Sequence, residues 1–183
     1  MRADIDRWNR KYAGGPRSVE PAGEPELAAA ASALPGRGLA LELACGRGAN
    51  ALYLARLGYE VVAVDCAING LGACSRTARR LGLPVFPVVM DLDRAALPRR
   101  RFRLVCVVRY LNRPLFPVLA EALAPGGVLF YKTFNRRHLE DRPGFNPGYV
   151  LEDGELDRAF AGLGRLAGGE SGTTSWILAR AAP

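Results

Sequence analysis

The sequence predicts an α/β protein built on a doubly wound, mostly parallel sheet with helices on both faces. Three observations carry this. From residue 39 onward, short apolar runs alternate with stretches of helical spacing. Glycines at 46, 48, 58 and 82 stand where a strand turns into a helix or a helix ends. Apolar residues make up 49% of the 183 residues and charged ones 23%, a balance that excludes disorder, collagen-like repeats and a disulfide scaffold. At roughly 150 residues per domain, a single domain over residues 1–183 is expected. Its amino-terminal helices (1–35) would cover a site on a core spanning 36–183.

Taken in order, Ile5, Trp8 and Tyr12 share one face of a first helix. A second helix starts after Pro25 and runs through the alanines to Ala33. Between them, residues 13–24, with Gly14, Gly15, Pro16 and Pro21, are the expected mobile connection. Residues 39–44 form the first strand, and 50–57 the next helix, with Leu54 and Leu57 one turn apart and Gly58 as its cap. The β-branched run 60–64 ends at Asp65; 70–81 is a helix capped by Gly82; 84–90 is the third strand. Residues 103–108 are the fourth strand, and 112–123 a helix whose regular part Pro114 and Pro117 confine to the later turns. A turn at 125–127 leads into the fifth strand, 128–134. Pro84 and Pro87 remove ladder donors, so the third strand belongs at an edge, which suits the order 3-2-1-4-5. At the carboxyl end, 152–163 reads as a helix, and 165–170 with 173–181 as a hairpin about Ser171-Gly172. The full order is then 3-2-1-4-5-7-6, with the last strand antiparallel.

The net charge of +7 comes almost wholly from arginine; only Lys11 and Lys132 are lysine. The one dense run, Arg99-Arg100-Arg101 with Arg103, reads as a solvated turn before a strand. Cysteines 45, 66, 74 and 106 show no CxxC spacing, and His138 is the single histidine, so a Cys/His zinc site has too few ligands. Free buried thiols and no metal are the expectation. Apolar stretches such as 104–108 fall far short of the ~18–20 residues a membrane span needs. The amino terminus lacks the apolar core of a signal peptide, which predicts a cytoplasmic protein.

The strongest local signal is Glu42-Leu-Ala-Cys-Gly-Arg-Gly48, where a strand ends and a helix starts. Glycine at 46 and 48 lets backbone N–H groups approach a ligand at the helix N-terminus, in the crevice where strand order reverses. Gly46 and Gly48 with Ala51 also fit a loose dinucleotide fingerprint. Glu42 separates the two readings. A carboxylate four residues ahead of Gly46 repels a pyrophosphate but suits a cationic amine.

With these residues the chain resembles the class I S-adenosylmethionine-dependent methyltransferases, a Rossmann-like family. Within them it is most similar to the small single-domain branch of tellurite-resistance and thiol methyltransferases. The resemblance rests on the motif at 42–50, the stretch 52–58, the acid ending 61–65, Asp91 after the third strand, the segment 123–129, and Trp8 with Tyr12. It covers residues 5–181. It implies S-adenosyl-L-methionine as cofactor, with Glu42 holding the methionine amine and Gly46 and Gly48 lining the methionine and ribose. It further implies that Asp65 accepts from the ribose hydroxyls, and that Asp91 lies near the adenine amine with Leu92 beside it. Ala44, Cys45, Asn50, Cys66 and Arg109 complete the expected cofactor set. Two residues depart from the family pattern: Glu42 stands where many relatives have aspartate, and Ala44 where many have glycine. Alanine is tolerated there if its φ is negative.

In this family the segment after the fourth strand declares the methyl acceptor. Here residues 108–115 lack the Asn/Asp-Pro-Pro-Tyr/Phe motif of enzymes that methylate exocyclic adenine or glutamine nitrogens. No cysteine stands there for attack on cytosine. Arg109, Tyr110 and His138 are the catalytic candidates; Trp8, Tyr12, Tyr110, Arg113 and Lys132 are the substrate-binding ones. The loop of about 15 residues after the fifth strand carries Arg136, Arg137, His138, Arg142 and Tyr149, and such loops serve as lids or binding loops. No acid–base dyad stands out. The expectation is therefore methyl transfer by proximity and orientation to a small-molecule acceptor, a soft or already anionic nucleophile. A nucleic-acid or protein acceptor is permitted by the charge but not favoured, since no recognition module is present. A non-catalytic S-adenosylmethionine-binding protein and an NAD-dependent oxidoreductase are the alternatives from other classes. A monomer or homodimer with no membrane contact is expected.

Overall fold

The computed structural model describes residues 2–15 and 18–183. Pro16 and Arg17, part of the connection expected at 13–24, lie outside the described residues. The chain divides into two compact units, residues 1–95 and 96–183.

The first unit holds α1 (Arg2–Ala13), α2 (Pro25–Ala29), β1 (Gly38–Leu43), α3 (Ala49–Arg56), β2 (Tyr59–Asp65), α4 (Ile68–Leu81) and β3 (Val85–Val89). Successive residues of β1 and β2 are buried rather than alternate ones: Leu41, Glu42 and Leu43 all lie inside, as do Ala63, Val64 and Asp65. That is the pattern of parallel strands covered on both faces, and β1–β2 and β2–β3 do pair in parallel. Along α4, Leu71, Cys74 and Ala78 are buried at helical spacing, and Gly82, at φ +63, ends the helix. The helix expected up to Ala33 stops at Ala29 and tightens into a 3₁₀ turn over Ala31–Ala33. Pro35 accounts for this, because Leu34 before it is forced into extended backbone.

The second unit holds β4 (Phe102–Val108), α5 (Leu115–Ala122), β5 (Leu123–Phe134), α6 (Arg137–Asp141), α7 (Glu155–Ala159), β6 (Gly164–Ser171) and β7 (Thr174–Arg180). β4 and β5 run parallel, β7 runs antiparallel to β5, and β6 forms a hairpin with β7 about Gly172 at φ +57. Its core includes Phe116, Tyr131 and Phe160, whose ring centroids lie 5.2–5.8 Å apart. The seven strands follow the order β3-β2-β1-β4-β5-β7-β6, and Pro87 lies in the edge strand β3.

Three local expectations change. Pro125 with the glycines at 126 and 127 makes an irregularity inside β5, where the register against β4 shifts between Phe102 and Leu104. A side chain at Gly127 would meet the carbonyls of Phe102 and Ala124 at 2.7 and 2.8 Å, so the strand passes there only as glycine. The helix expected over 152–163 contracts to α7, because Gly154 takes φ +65 just ahead of it. The loop after β5 carries a helix of its own, α6. The arginine run lies where expected. Arg99, Arg100 and Arg101 are exposed, Arg99 pairs with Glu121 at 3.0 Å, and the N–H groups of Arg100 and Arg101 donate to the last carbonyls of α5. All four cysteines are free. Among the described residues no helix is long and apolar enough to cross a membrane.

Candidate functional site

The sharpest bend of the first unit follows β1. Ala44, Gly46 and Gly48 take φ +54, +56 and +79, three left-handed residues in alternation. Ala44 is the one that L-residues resist, by roughly 1–2 kcal/mol; the negative φ at which alanine is tolerated without cost is not the one it adopts. The bend survives because something collects its N–H groups. Cys45 N–H donates to the Val64 carbonyl at 3.0 Å, and Gly46 N–H to Asp65 Oδ2 at 2.7 Å. Asp65 Oδ1 accepts the Ala67 N–H at 2.8 Å, so one buried carboxylate ties the bend to the start of α4.

Glycine at these positions is a matter of space as well as φ. A side chain at Gly46 would reach the Tyr12 hydroxyl at 2.7 Å, and one at Gly48 would run into Cys74 Sγ. Gly70 on α4 was not foreseen as part of the site, yet a side chain there would meet the Gly46 carbonyl at 2.5 Å. A glycine inside a helix costs about 1 kcal/mol against alanine. That cost at Gly70 was the available signal.

Glu42 lies one residue before the end of β1 and is 2% exposed. It accepts hydrogen bonds from the Asn50 side chain and the Ala51 N–H, while its Oε2 is buried without a partner. Burial pushes its carboxyl up to about 8; the Asp65 charge adds to this, and the two hydrogen bonds oppose it. Asn50 is engaged twice over, since its Oδ1 also accepts the Glu24 N–H at 2.8 Å. The neighbouring thiols are protonated by the same cause. Burial raises Cys66 to about 11 and Cys74 to about 12, and raises Cys45 well above the usual thiol range. None of the three is an activated nucleophile.

Helix α1 is fastened over this corner. Tyr12, whose phenol burial and the Asp65 charge raise to about 12, sits against Gly46; Trp8 stacks on it with centroids 5.8 Å apart. Arg47 Nη2 donates to the Tyr12 carbonyl at 2.8 Å. Asn69 donates its backbone N–H to Asn9 Oδ1 at 3.2 Å and its side chain to the Asn9 carbonyl at 3.0 Å. Arg47, Asn9 and Asn69 were not foreseen, and the paired asparagines leave no mark in the sequence that would single them out. Asp91 caps a 3₁₀ turn through the Asp93 N–H at 3.1 Å, with Leu92 buried beside it.

In the second unit the expected residues follow β4 and β5. Arg109 takes φ +54, and its N–H donates to the Lys132 carbonyl at 2.8 Å. Lys132 itself is buried on β5. The Tyr131 hydroxyl donates to the Tyr110 carbonyl at 2.7 Å, and Asn112 Nδ2 donates to the Tyr110 hydroxyl at 3.3 Å. His138 does not stand open on a loop. It stacks on Phe134 at 4.0 Å and meets Phe145 edge-on at 4.7 Å. Arg113, expected to bind substrate, is engaged with Glu155 and with the carbonyls of Gly148 and Val150.

Residues 40–127 match a family model described as a methyltransferase domain. The chain is 32% identical over 83 residues to the probable S-adenosyl-L-methionine-dependent methyltransferase TehB of Haemophilus influenzae, covering 44% of this chain and 29% of that one. It is 33% identical over 109 residues to a ubiquinone biosynthesis O-methyltransferase of Cereibacter sphaeroides, covering 56% and 44%. The chain thus spans less than half the length of these curated relatives. The crystal structure of TehB from Haemophilus influenzae matches at a TM-score of 0.77 and 20% identity, over 97% of this chain and 66% of that one.

Over residues 40–127 the chain is similar to methyltransferases, and its fold is that of the TehB structure. Such enzymes take S-adenosylmethionine as cofactor, and its methionine amine is a cation. In the first unit the glycine bend, Glu42 and Asp65 meet at one corner, and the unpartnered Glu42 Oε2 is a buried acceptor of the kind a cationic donor satisfies.

Two stability measurements test this corner. Ala44→Gly relieves the left-handed alanine and raises stability by about 0.5–1 kcal/mol; an unchanged or lower urea midpoint contradicts the conformation. For Glu42, the folded value of about 8 lies above the ordinary 4.5, so the unfolded chain loses this proton first. Stability therefore falls as pH rises from about 4.5 to about 8 and then levels off. Glu42→Gln removes that decline, so the variant gains on the native protein by on the order of 4 kcal/mol across the window. A difference between the two that stays constant with pH contradicts the burial of an uncompensated carboxyl.

Proposed function

We propose that this protein is an S-adenosylmethionine-dependent methyltransferase acting on a small-molecule acceptor, a soft or already anionic nucleophile. The observation that carries the reading is the buried, unpartnered oxygen of Glu42 beside the glycine bend. An acid in that place suits the amine of a methionine, against which it gains by ionising, and offers no such gain to the diphosphate of NAD. In this reading Glu42 holds the amine, Gly46 and Gly48 line the methionine and ribose, and the second lone pairs of the Asp65 oxygens take the ribose hydroxyls. Asp91 and Leu92 lie at the adenine.

When bound, the cofactor supplies a sulfonium-activated methyl group. The protein's own contribution is then alignment, which lowers such a barrier by on the order of 7–11 kcal/mol. The side chains support an acceptor that needs no base. His138 is packed against two rings, and burial raises the Tyr131 phenol far above neutrality while its proton is given to a carbonyl. A thiolate or carboxylate requires no deprotonation from either. We place the protein in the cytoplasm, as one domain over 1–183 working as a monomer or homodimer, with no membrane partner and with nucleic acid the less favoured one.

Calorimetry with S-adenosylhomocysteine and with NAD tests the cofactor, with binding of the first and none of the second expected. Binding of NAD alone removes the reading. Methyl transfer from labelled S-adenosylmethionine onto a panel of thiols, selenols, carboxylates and phenols tests the acceptor. Label on the thiols or carboxylates is expected. Label confined to phenols would require a base and contradict the acceptor class.

A further inference from the structure

The segments after β4 and β5, residues 109–114 and 135–151, lie at the carboxyl ends of two parallel strands, the end at which open α/β sheets bind ligands. They are fastened to one another and to β5. The Tyr131 hydroxyl accepts the Asn112 N–H and donates to the Tyr110 carbonyl, which pins the first segment to β5. At the start of the second segment, Asn135 donates to the Gly172 carbonyl and to Ser175 Oγ and accepts the Arg137 N–H. At its far end, Leu151 N–H donates to the Phe134 carbonyl at 2.9 Å.

Arg113 joins the two segments directly. Its Nε and Nη2 grip Glu155 in a two-pronged ion pair at 2.6 and 2.9 Å, and Nη1 and Nη2 donate to the carbonyls of Gly148 and Val150 at 3.0 Å each. Glu155 is 13% exposed at its side chain, and its Oε2 also accepts the Glu152 N–H at 2.8 Å. A guanidinium so occupied offers no open fork to an anionic substrate. Its side chain is 42% exposed, so it fills no core either. What it does is hold residues 148–150 against the start of α5.

We propose that Arg113 is a positioning residue: it fixes the end of the 135–151 loop to the segment after β4, so that this wall of the acceptor pocket is set before the acceptor arrives. The inference rests on the methyltransferase reading. Lysine cannot replace it, because an ammonium has no planar fork with which to take a carboxylate and two carbonyls together.

The test compares the native protein with Arg113→Lys, which keeps the charge, and with Arg113→Gln. By hydrogen exchange, amides 146–151 should exchange about tenfold faster in Arg113→Lys, with those of 128–134 unchanged. S-adenosylhomocysteine should bind both proteins alike. With an acceptor found in the panel, KM for that acceptor should rise about tenfold while kcat holds within about threefold. Unchanged exchange at 146–151 overturns the proposal. So does faster exchange with an unchanged KM, which would leave the clamp a purely structural contact. Should the native protein bind no S-adenosylhomocysteine, the functional reading fails by itself, and the exchange experiment still decides whether Arg113 holds the loop. If Arg113→Gln does not fold, the lysine variant carries the test.

Discussion

One carboxylate, Asp65, holds the functional corner of the first unit in place. The bend after β1 turns its N–H groups inward and away from water, and a buried acceptor must meet them. Because Asp65 is bonded to Gly46 and Ala67, its charge is fixed at the centre of the corner. That charge pushes Tyr12, Glu42, Cys45 and Cys66 toward their protonated forms, in each case adding to burial. Glu42 is the group with most to gain from a cation. It is fully buried, only partly hydrogen-bonded and close to a like charge. One acid of the corner thus builds the bend, and the other keeps a buried oxygen without a partner, which is what the proposed cationic ligand would meet.

The second unit follows a different principle. Its loops at the strand ends are shut by side chains, among them Arg113, which the sequence had offered as a substrate contact. Arg113 and Asn135 close them through backbone carbonyls, and the Phe134, His138 and Phe145 rings pack the interior of the loop. In the proposed reading, a wall built this way would lower the entropy lost on aligning an acceptor. It also agrees with chemistry that proceeds by alignment rather than by proton transfer, since the candidate bases are committed to packing.

Much of the fold was legible in the sequence, for physical reasons that can be named. Pro87 could stand only where a strand lacks a neighbour on its N–H side, and this fixed the edge. Ser171-Gly172 marked the hairpin because a tight turn needs φ > 0, which Gly172 supplies at +57. Glu42, Gly46 and Asp65 were legible as residue types in sequence order. That Asp65 also ties the backbone of the bend was not, because an acid at a strand end looks the same whether it accepts from a backbone or a ligand. The left-handed backbone of Ala44 was hidden for a related reason: alanine marks a negative φ in most settings, and the tie from Asp65 lies 19–21 residues away from the bend it stabilises. The Arg113–Glu155 clamp spans 42 residues and involves carbonyls that any sequence supplies, so no local pattern could announce it. The glycines at 126 and 127 read equally well as a turn or as an irregularity within a strand, and only the pairing of β5 with β4 decides between them.

The central claim is that Glu42 is a neutral, buried acid awaiting a cation. The most direct measurement is the number of protons released when S-adenosylhomocysteine binds at pH 7, read by calorimetry in buffers of different ionisation enthalpy. A group raised to about 8 in the free protein must ionise to meet an ammonium, so release of close to one proton is expected from the native protein and none from Glu42→Gln. Binding without proton release in the native protein, or the same release in both, would contradict the account.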